Sequence, residues 1–235
     1  MKSNNMDGVS PRRKFLQTIG AGTAALGIAT VMAPIQKIHA SPVYESDNND
    51  PSPDDWFNQL KGKHRMVFDV TEPHEIFPFA WPKVFSLTNV ATGTPEKDVN
   101  SVVVLRHNAI PYAFSNDLWA KYNFGEMFKI NDPKTQKPSV RNPFWKPSPG
   151  DFSVPGLGPV AIGINELQDS GVLFCVCNMA MTVFSAVVAD KMKLKADDVK
   201  KEWTSNLLPN IPAMPSGVWA VGRAQEHGCG YCFVR

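Results

Sequence analysis

Cysteine is scarce in this chain of 235 residues: there are four, at Cys175, Cys177, Cys229 and Cys232, all in the last third. So few in so long a chain do not form the dense framework that staples small secreted domains, and a core of this size does not need one. Charge of one sign is lacking too, with 24 Lys and Arg against 22 Asp and Glu and no basic run beyond residue 40. That removes the electrostatic ground for binding nucleic acid or a membrane surface. No apolar run reaches the ~20 residues a membrane span requires. There is no Gly-rich phosphate loop and no Gly-x-Ser-x-Gly elbow, so the sequence offers neither P-loop nor α/β-hydrolase chemistry. Internal repeats and short metal-ligand spacings are absent as well.

What is present begins at the amino end. Ser10-Pro-Arg-Arg-Lys-Phe-Leu16 carries paired arginines before a weakly apolar Gly/Ala-rich run from Ile19 to Pro34, and Ile38-His-Ala40 offers a small-residue cleavage site. Residues 1–40 therefore resemble a twin-arginine (Tat-type) export signal, and predict a periplasmic or otherwise exported protein with no membrane attachment after cleavage. Those forty residues hold five of the 24 basic and one of the 22 acidic side chains, so the remainder carries 19 against 21, a formal net charge of −2. Residues 41–55, rich in proline and aspartate, read as a flexible tether, and 56–235 as one domain.

Strand and helix patterns alternate along that domain. Trp56–Leu60 is a short helical lead-in, and His64–Thr71 the first strand. The aromatic, proline-rich run 71–82 reads as a packed loop, followed by a short helix from Phe85 to Val90. Ser101–Arg106 is the second strand. Asn108 caps a helix through Ile110, Phe114, Leu118 and Trp119 to Tyr122. Residues 131–159 hold seven prolines and an Asn-Pro-Phe-Trp cluster. They form an insertion whose aromatics predict docking, either as a lid over the active face or as a subunit contact. A helix near Ala161–Asp169 stops at Gly171, the third strand runs to Cys177, and a helix spans Lys195 to about Leu208. A fourth strand at Ile211–Pro215, a helix from Gly217 to His227 capped by Ser216, and a fifth strand at Tyr231–Val234 complete the series. Alternating strands and helices imply a three-layer α/β/α domain around a five-stranded parallel sheet, flavodoxin-like with strand order 2-1-3-4-5.

The stretch Val172-Leu-Phe-Cys-Val-Cys-Asn-Met-Ala-Met181 turns from strand to helix at Cys177-Asn178. In an open parallel sheet such a junction lies on the carboxyl edge, where ligands bind and helix N–H groups are free. A helix amino end favours a thiolate, which makes Cys177 the candidate nucleophile, with Asn178 beside it. Cys175, inside the strand, reads as a buried structural residue. His107 and His74 follow strands on the same edge. His107 is a candidate proton partner, and His74, His107 and Cys177 together are candidate ligands for a soft or borderline metal. Lone histidines at loop starts more often cap or hydrogen-bond the backbone. Cys229-Gly-Tyr-Cys232 has dithiol spacing, but it follows a helix and enters a strand, whose odd separation points the two side chains to opposite faces. A structural role fits it better, or a disulfide if Cys229 lies in the turn. Asp69 reads as a buried or edge carboxylate of the first strand.

The block from Gly171 to Met181, with Leu208-Pro-Asn-Ile-Pro-Ala-Met-Pro-Ser-Gly-Val-Trp-Ala-Val-Gly-Arg-Ala-Gln-Glu-His-Gly-Cys-Gly-Tyr231, resembles the DsrE/DsrF-like family. The likeness covers roughly residues 171–235, is weaker over 64–122, and does not extend to the signal, the tether or the insertion. It implies the α/β/α fold, assembly into homo-oligomers, and sulfur relay as a persulfide on Cys177, exchanged with a donor or acceptor protein. Two functions are thus expected: an exported sulfur-handling protein with no resident cofactor, or a non-catalytic oligomeric module holding a metal or small ligand at the carboxyl edge.

Overall fold

The computed structural model describes residues 52–235. The export signal (1–40) and tether residues 41–51 lie outside the described residues. In chain order the described residues form β1 (His64–Val70), α1 (Phe77–Ala91), β2 (Val99–Leu105), α2 (Asn116–Tyr122), α3 (Phe124–Met127), β3 (Ser153–Val154), β4 (Gly158–Pro159), α4 (Ile164–Asp169), β5 (Val172–Cys177), α5 (Asn178–Met192), α6 (Ala196–Ser205), β6 (Ala213–Met214), α7 (Gly217–Glu226) and β7 (Gly230–Val234). Short 3-10 helices lie at Pro53–Gln59, Glu96–Asp98 and His107–Ala113. The lead-in helix starts at Pro53, where Ser52 caps it, earlier than the expected Trp56.

β6, β5, β2, β1 and β7 lie side by side in that order, and every pairing is parallel. The five-stranded parallel sheet is therefore as the sequence predicts, but the order is not. Numbered along the chain the sheet strands run 4-3-2-1-5 instead of 2-1-3-4-5, because the final strand, β7, takes the edge of β1 that the expected order leaves to the third. The first three strands remain neighbours.

This order fixes the layers. From β1 through β2 and β5 to β6 the chain steps one strand at a time in one direction, so right-handed crossovers put α1 to α6 on one face. The return from β6 to β7 runs the other way and puts α7 on the opposite face. Two apolar clusters match: Phe68, Val103, Leu105, Phe174 and Val176 face the first layer, whereas Val67, Val102, Val104 and Cys175 face α7 and the Pro53–Gln59 turn. Alternate residues of one strand thus serve two cores, as the period of two requires.

Other expectations are corrected by side-chain burial. α1 begins at Phe77, inside the expected loop. Pro78 lies in its first turn, where a missing N–H costs nothing, and burial of Phe79, Ala80 and Pro82 offsets the backbone bond that Pro82 forgoes. The expected helix from Asn108 to Tyr122 is broken into the 3-10 turn and α2. Pro111 lacks a donor, Phe114 pairs with Leu207 in an isolated bridge, and the Ser115 N–H donates to the Asn206 carbonyl at 3.0 Å. That bridge also ends α6 short of the predicted Leu208. β6 keeps only two residues, between Pro212 and Pro215.

The 131–159 insertion docks, as its aromatics predict. Phe144 stacks between Phe79 (4.1 Å) and Phe152 (4.6 Å). Fully buried Asn142 donates through Nδ2 to the carbonyls of Tyr112 (2.9 Å) and Phe114 (3.1 Å), while its Oδ1 accepts from the Phe144 N–H. Lys134 and Arg141 pair with Asp151 and Asp132 across the loop. Its phenylalanines point inward and extend the first core.

Candidate functional site

Crossovers that leave adjacent strands toward opposite faces open a crevice at the carboxyl edge. Here those strands are β5, which feeds α5 on the first face, and β6, which feeds α7 on the second. Cys177, opposite Met214 in the β5–β6 register, stands at that point. No loop separates β5 from α5, so Cys177 is both the last strand residue and the helix N-cap, with φ −76° and ψ 107°. Its Sγ accepts the Ala180 N–H at 3.3 Å. An N-cap is ordinarily an oxygen-bearing side chain, because its task is to accept an orphan N–H of the first turn. A thiol accepts only weakly. A sulfur in this role, at the positive end of a helix, is therefore best matched to the donor when it carries negative charge. The helix N–H expected at the sulfur is that of Ala180, with Asn178 as the first helical residue. Cys177 is 7 % exposed, at the surface of the first core, whereas its strand neighbour Cys175 is sealed at 0 %. Burial pushes the Cys175 thiol up, so that residue is the inert one.

Continuing the β2–β5 register past Leu105↔Val176 sets Arg106 beside Cys177. Arg106 was not singled out in the sequence, yet it organises the edge. Its guanidinium forms a bidentate pair with Asp69, Nε to Oδ1 at 2.5 Å and Nη2 to Oδ2 at 2.8 Å, and the Tyr231 hydroxyl donates to the same carboxylate at 2.8 Å. The Asp69 side chain is only 3 % exposed, so the expected buried carboxylate is confirmed with its partners identified. Asp69 raises the Arg106 pKa still further, and Cys177 adds a smaller contribution of the same sign. A permanent cation thus stands within electrostatic range of the thiol. Arg106 also explains a glycine: a Cβ on Gly217 would lie 2.6 Å from the Arg106 Cβ, so the Pro-Ser-Gly turn lets the amino end of α7 close onto this side chain. Ser216 caps that helix by accepting the Trp219 N–H at 3.1 Å, as predicted.

The histidines lie farther from the chemistry. His107 follows β2 directly, in a left-handed backbone conformation (φ 51°). It is exposed, makes no hydrogen bond to Cys177, and packs against the Phe184 ring of α5 at 6.0 Å. His74 contacts the Arg235 carbonyl through Nδ1 and sits 5.1 Å from the Phe77 ring. Among the described residues no three His, Cys, Asp or Glu side chains are grouped as a metal would require. His74, His107 and Cys177 are therefore not brought together as a ligand set. All four cysteines are free. Cys229 packs in the second core and Cys232 against the first, the opposite-face arrangement predicted from their odd spacing. Burial pushes Cys229 up to about 11, a poor starting point for redox exchange.

No family model matches the chain, and no curated protein does. Among solved structures it is similar to the protein of unknown function MTH1491 from Methanobacterium thermoautotrophicum, at 16 % identity and a TM-score of 0.37, over 73 % of this chain and 99 % of that one.

Proposed function

We propose that this chain is an exported, DsrE-like protein that carries sulfane sulfur on Cys177. The observation that supports it most is the capping sulfur: one cysteine of four is placed at the carboxyl edge, accepts a helix N–H and stands beside Arg106. In the reaction the Cys177 thiolate attacks the outer sulfur of a donor persulfide, R–S–SH. The new S–S bond forms as the donor's S–S bond breaks, and the departing R–S⁻ takes up the proton, leaving Cys177–S–S⁻ and R–SH. No net oxidation occurs, so the exchange suits a compartment without a cytosolic reducing pool. The first turn of α5 and Arg106 stabilise the terminal anion, and exposed His107 delivers the proton to the leaving thiolate. A donor or acceptor protein docks at the carboxyl edge. The chain works as a homo-oligomer, consistent with Trp81, Val84, Leu87 and Val90, each more than 40 % exposed along α1.

The test is incubation with a sulfane-sulfur donor followed by intact mass. Wild type gains one sulfur, Cys177→Ser gains none, and Cys229→Ser and Cys232→Ser still load. The alternative is a non-catalytic oligomeric module that holds a metal or small ligand at the carboxyl edge. Stoichiometric metal in the purified protein would favour it, with the ligand set completed across a subunit contact.

A further inference from the structure

A cavity of about 420 Å³ lies between the β1–α1 loop and the docked insertion, away from Cys177. Its size falls in the range of small-molecule sites. Phe144 and Phe152 of the insertion form one wall, and His74, Glu75 and Lys129 lie around it. Tyr112 reaches it from the 3-10 turn after β2, its ring packed edge-on against Phe79 and Phe144. Tyr112 is 1 % exposed, and its hydroxyl has no hydrogen-bond partner among the described residues. Nor is that oxygen among the sealed, unsatisfied atoms, so the little surface Tyr112 keeps opens here. A hydroxyl that only the cavity reaches can donate to water or to a ligand there, and a ligand acceptor would satisfy it. Burial pushes the phenol pKa up, so it stays a proton donor throughout the working range. Three residues around the cavity, Glu75 (φ 47°), Lys129 (φ 56°) and Gln136 (φ 57°), hold left-handed backbone without being glycine. Strain of that kind concentrates at ligand clamps.

We propose that this cavity binds a small aromatic acid, its ring against the edge of Phe144 and the side of Phe152 turned away from it, its carboxylate accepting from the Tyr112 hydroxyl and facing Lys129. Edge-on and offset contacts with these rings favour a planar aromatic ring over a saturated one. Glu75 carries the opposing charge and His74 is tied through Nδ1 to the Arg235 carbonyl, which leaves Lys129 as the cation for the acid. The inference goes beyond sulfur transfer and stands whether or not Cys177 carries sulfur.

Isothermal titration of the full chain with 2-naphthoate, 2-naphthamide and decahydro-2-naphthoate tests it. Saturable one-to-one binding of 2-naphthoate is expected, with the amide and the saturated acid each several-fold weaker. Tyr112→Phe should weaken 2-naphthoate by about 3- to 10-fold, the worth of one hydrogen bond, without lowering Tm, since the hydroxyl supports nothing in the protein. Lys129→Ala should weaken the acid more than the amide. Cys177→Ser should bind like wild type, which separates this site from the sulfur chemistry. Absence of saturable binding, an amide bound as tightly as the acid, or Tyr112→Phe binding like wild type would each overturn the proposal.

Discussion

The two faces of the sheet are built from the same strands, yet they are different kinds of core. On the first face, six helices and the docked insertion enclose an aromatic cluster that includes Phe79, Phe114, Trp119, Phe124, Phe144, Phe174 and Trp203. On the second, a single helix, through Ala220 and Ala224, and the 3-10 turn that carries Phe57 cover valines and Cys175. The cause is the connectivity: three successive crossovers crowd one face, and only the return to β7 serves the other. One ten-residue helix cannot cover five strands. Part of what it leaves near the carboxyl edge is occupied by the Asp69–Arg106–Tyr231 cluster, while Phe233 stays half exposed. The thin face can therefore host a charged group beside Cys177, and the thick face supplies rigidity and a walled cavity.

Adjacent residues of β5 give the sharpest way to break this contrast. Phe174→Ala, on the thick face and stacked on Phe79 at 6.3 Å, should cost about 3–5 kcal/mol in urea unfolding. Asp69→Ala strands Arg106, whose side chain is 27 % exposed, and should cost about 3 kcal/mol, the low end for breaking a buried pair. The same change should slow sulfur loading, because Arg106 is no longer held beside Cys177. Asn142→Ala frees two buried carbonyls and should cost about 2 kcal/mol, with early proteolysis between residues 131 and 159. Cys175→Ala, one residue from Phe174 but on the thin face, should cost only about 1 kcal/mol. A loss as large as that of Phe174→Ala would show the faces to be equivalent.

Acid should loosen the thick face. Burial opposes ionisation of Asp151, but its pairing with Lys134 and the Ser148 N–H outweigh that and hold the carboxyl below its ordinary range. Hydrogen bonds from Lys121 and Tyr122 do the same for Glu202, which ties α6 to α2. A depressed folded-state pKa contributes stability above the unfolded value and loses it as pH falls through the folded one. Unfolding titrations below about pH 4 should therefore show a steeper loss in wild type than in Glu202→Gln.

Much of this was legible in the sequence, because it depends on local rules. The β5 strand, its junction at Cys177, the Ser216 cap and the stop at Gly171 follow from burial pattern and turn chemistry, and each is found where expected. The strand order was not legible, since nothing local says which edge of β1 receives the last strand. The start of α1 was hidden by prolines whose cost is offset only by tertiary burial. Arg106 was missed because it reads as an ordinary strand end. Its one trace is Gly217, a helix-start glycine that makes sense only once a side chain is known to press on it. Tyr112 was hidden for a similar reason: its unpartnered hydroxyl matters only beside an insertion that sequence places nowhere in space.

If Cys177, and not its three companions, is the sulfur-bearing thiol, the rates of alkylation in the folded protein should reveal it. Iodoacetamide at neutral pH followed by peptide mapping should label Cys177 first and Cys175 last, with Cys229 slow because burial holds it up to about 11. Sulfur from a sulfane donor should then appear on the Cys177 peptide alone, and His107→Ala should slow that loading by about 10²-fold or more without abolishing it. Uniformly slow labelling of all four cysteines, or a wild-type protein that gains no sulfur, would show that Cys177 is not a sulfur carrier.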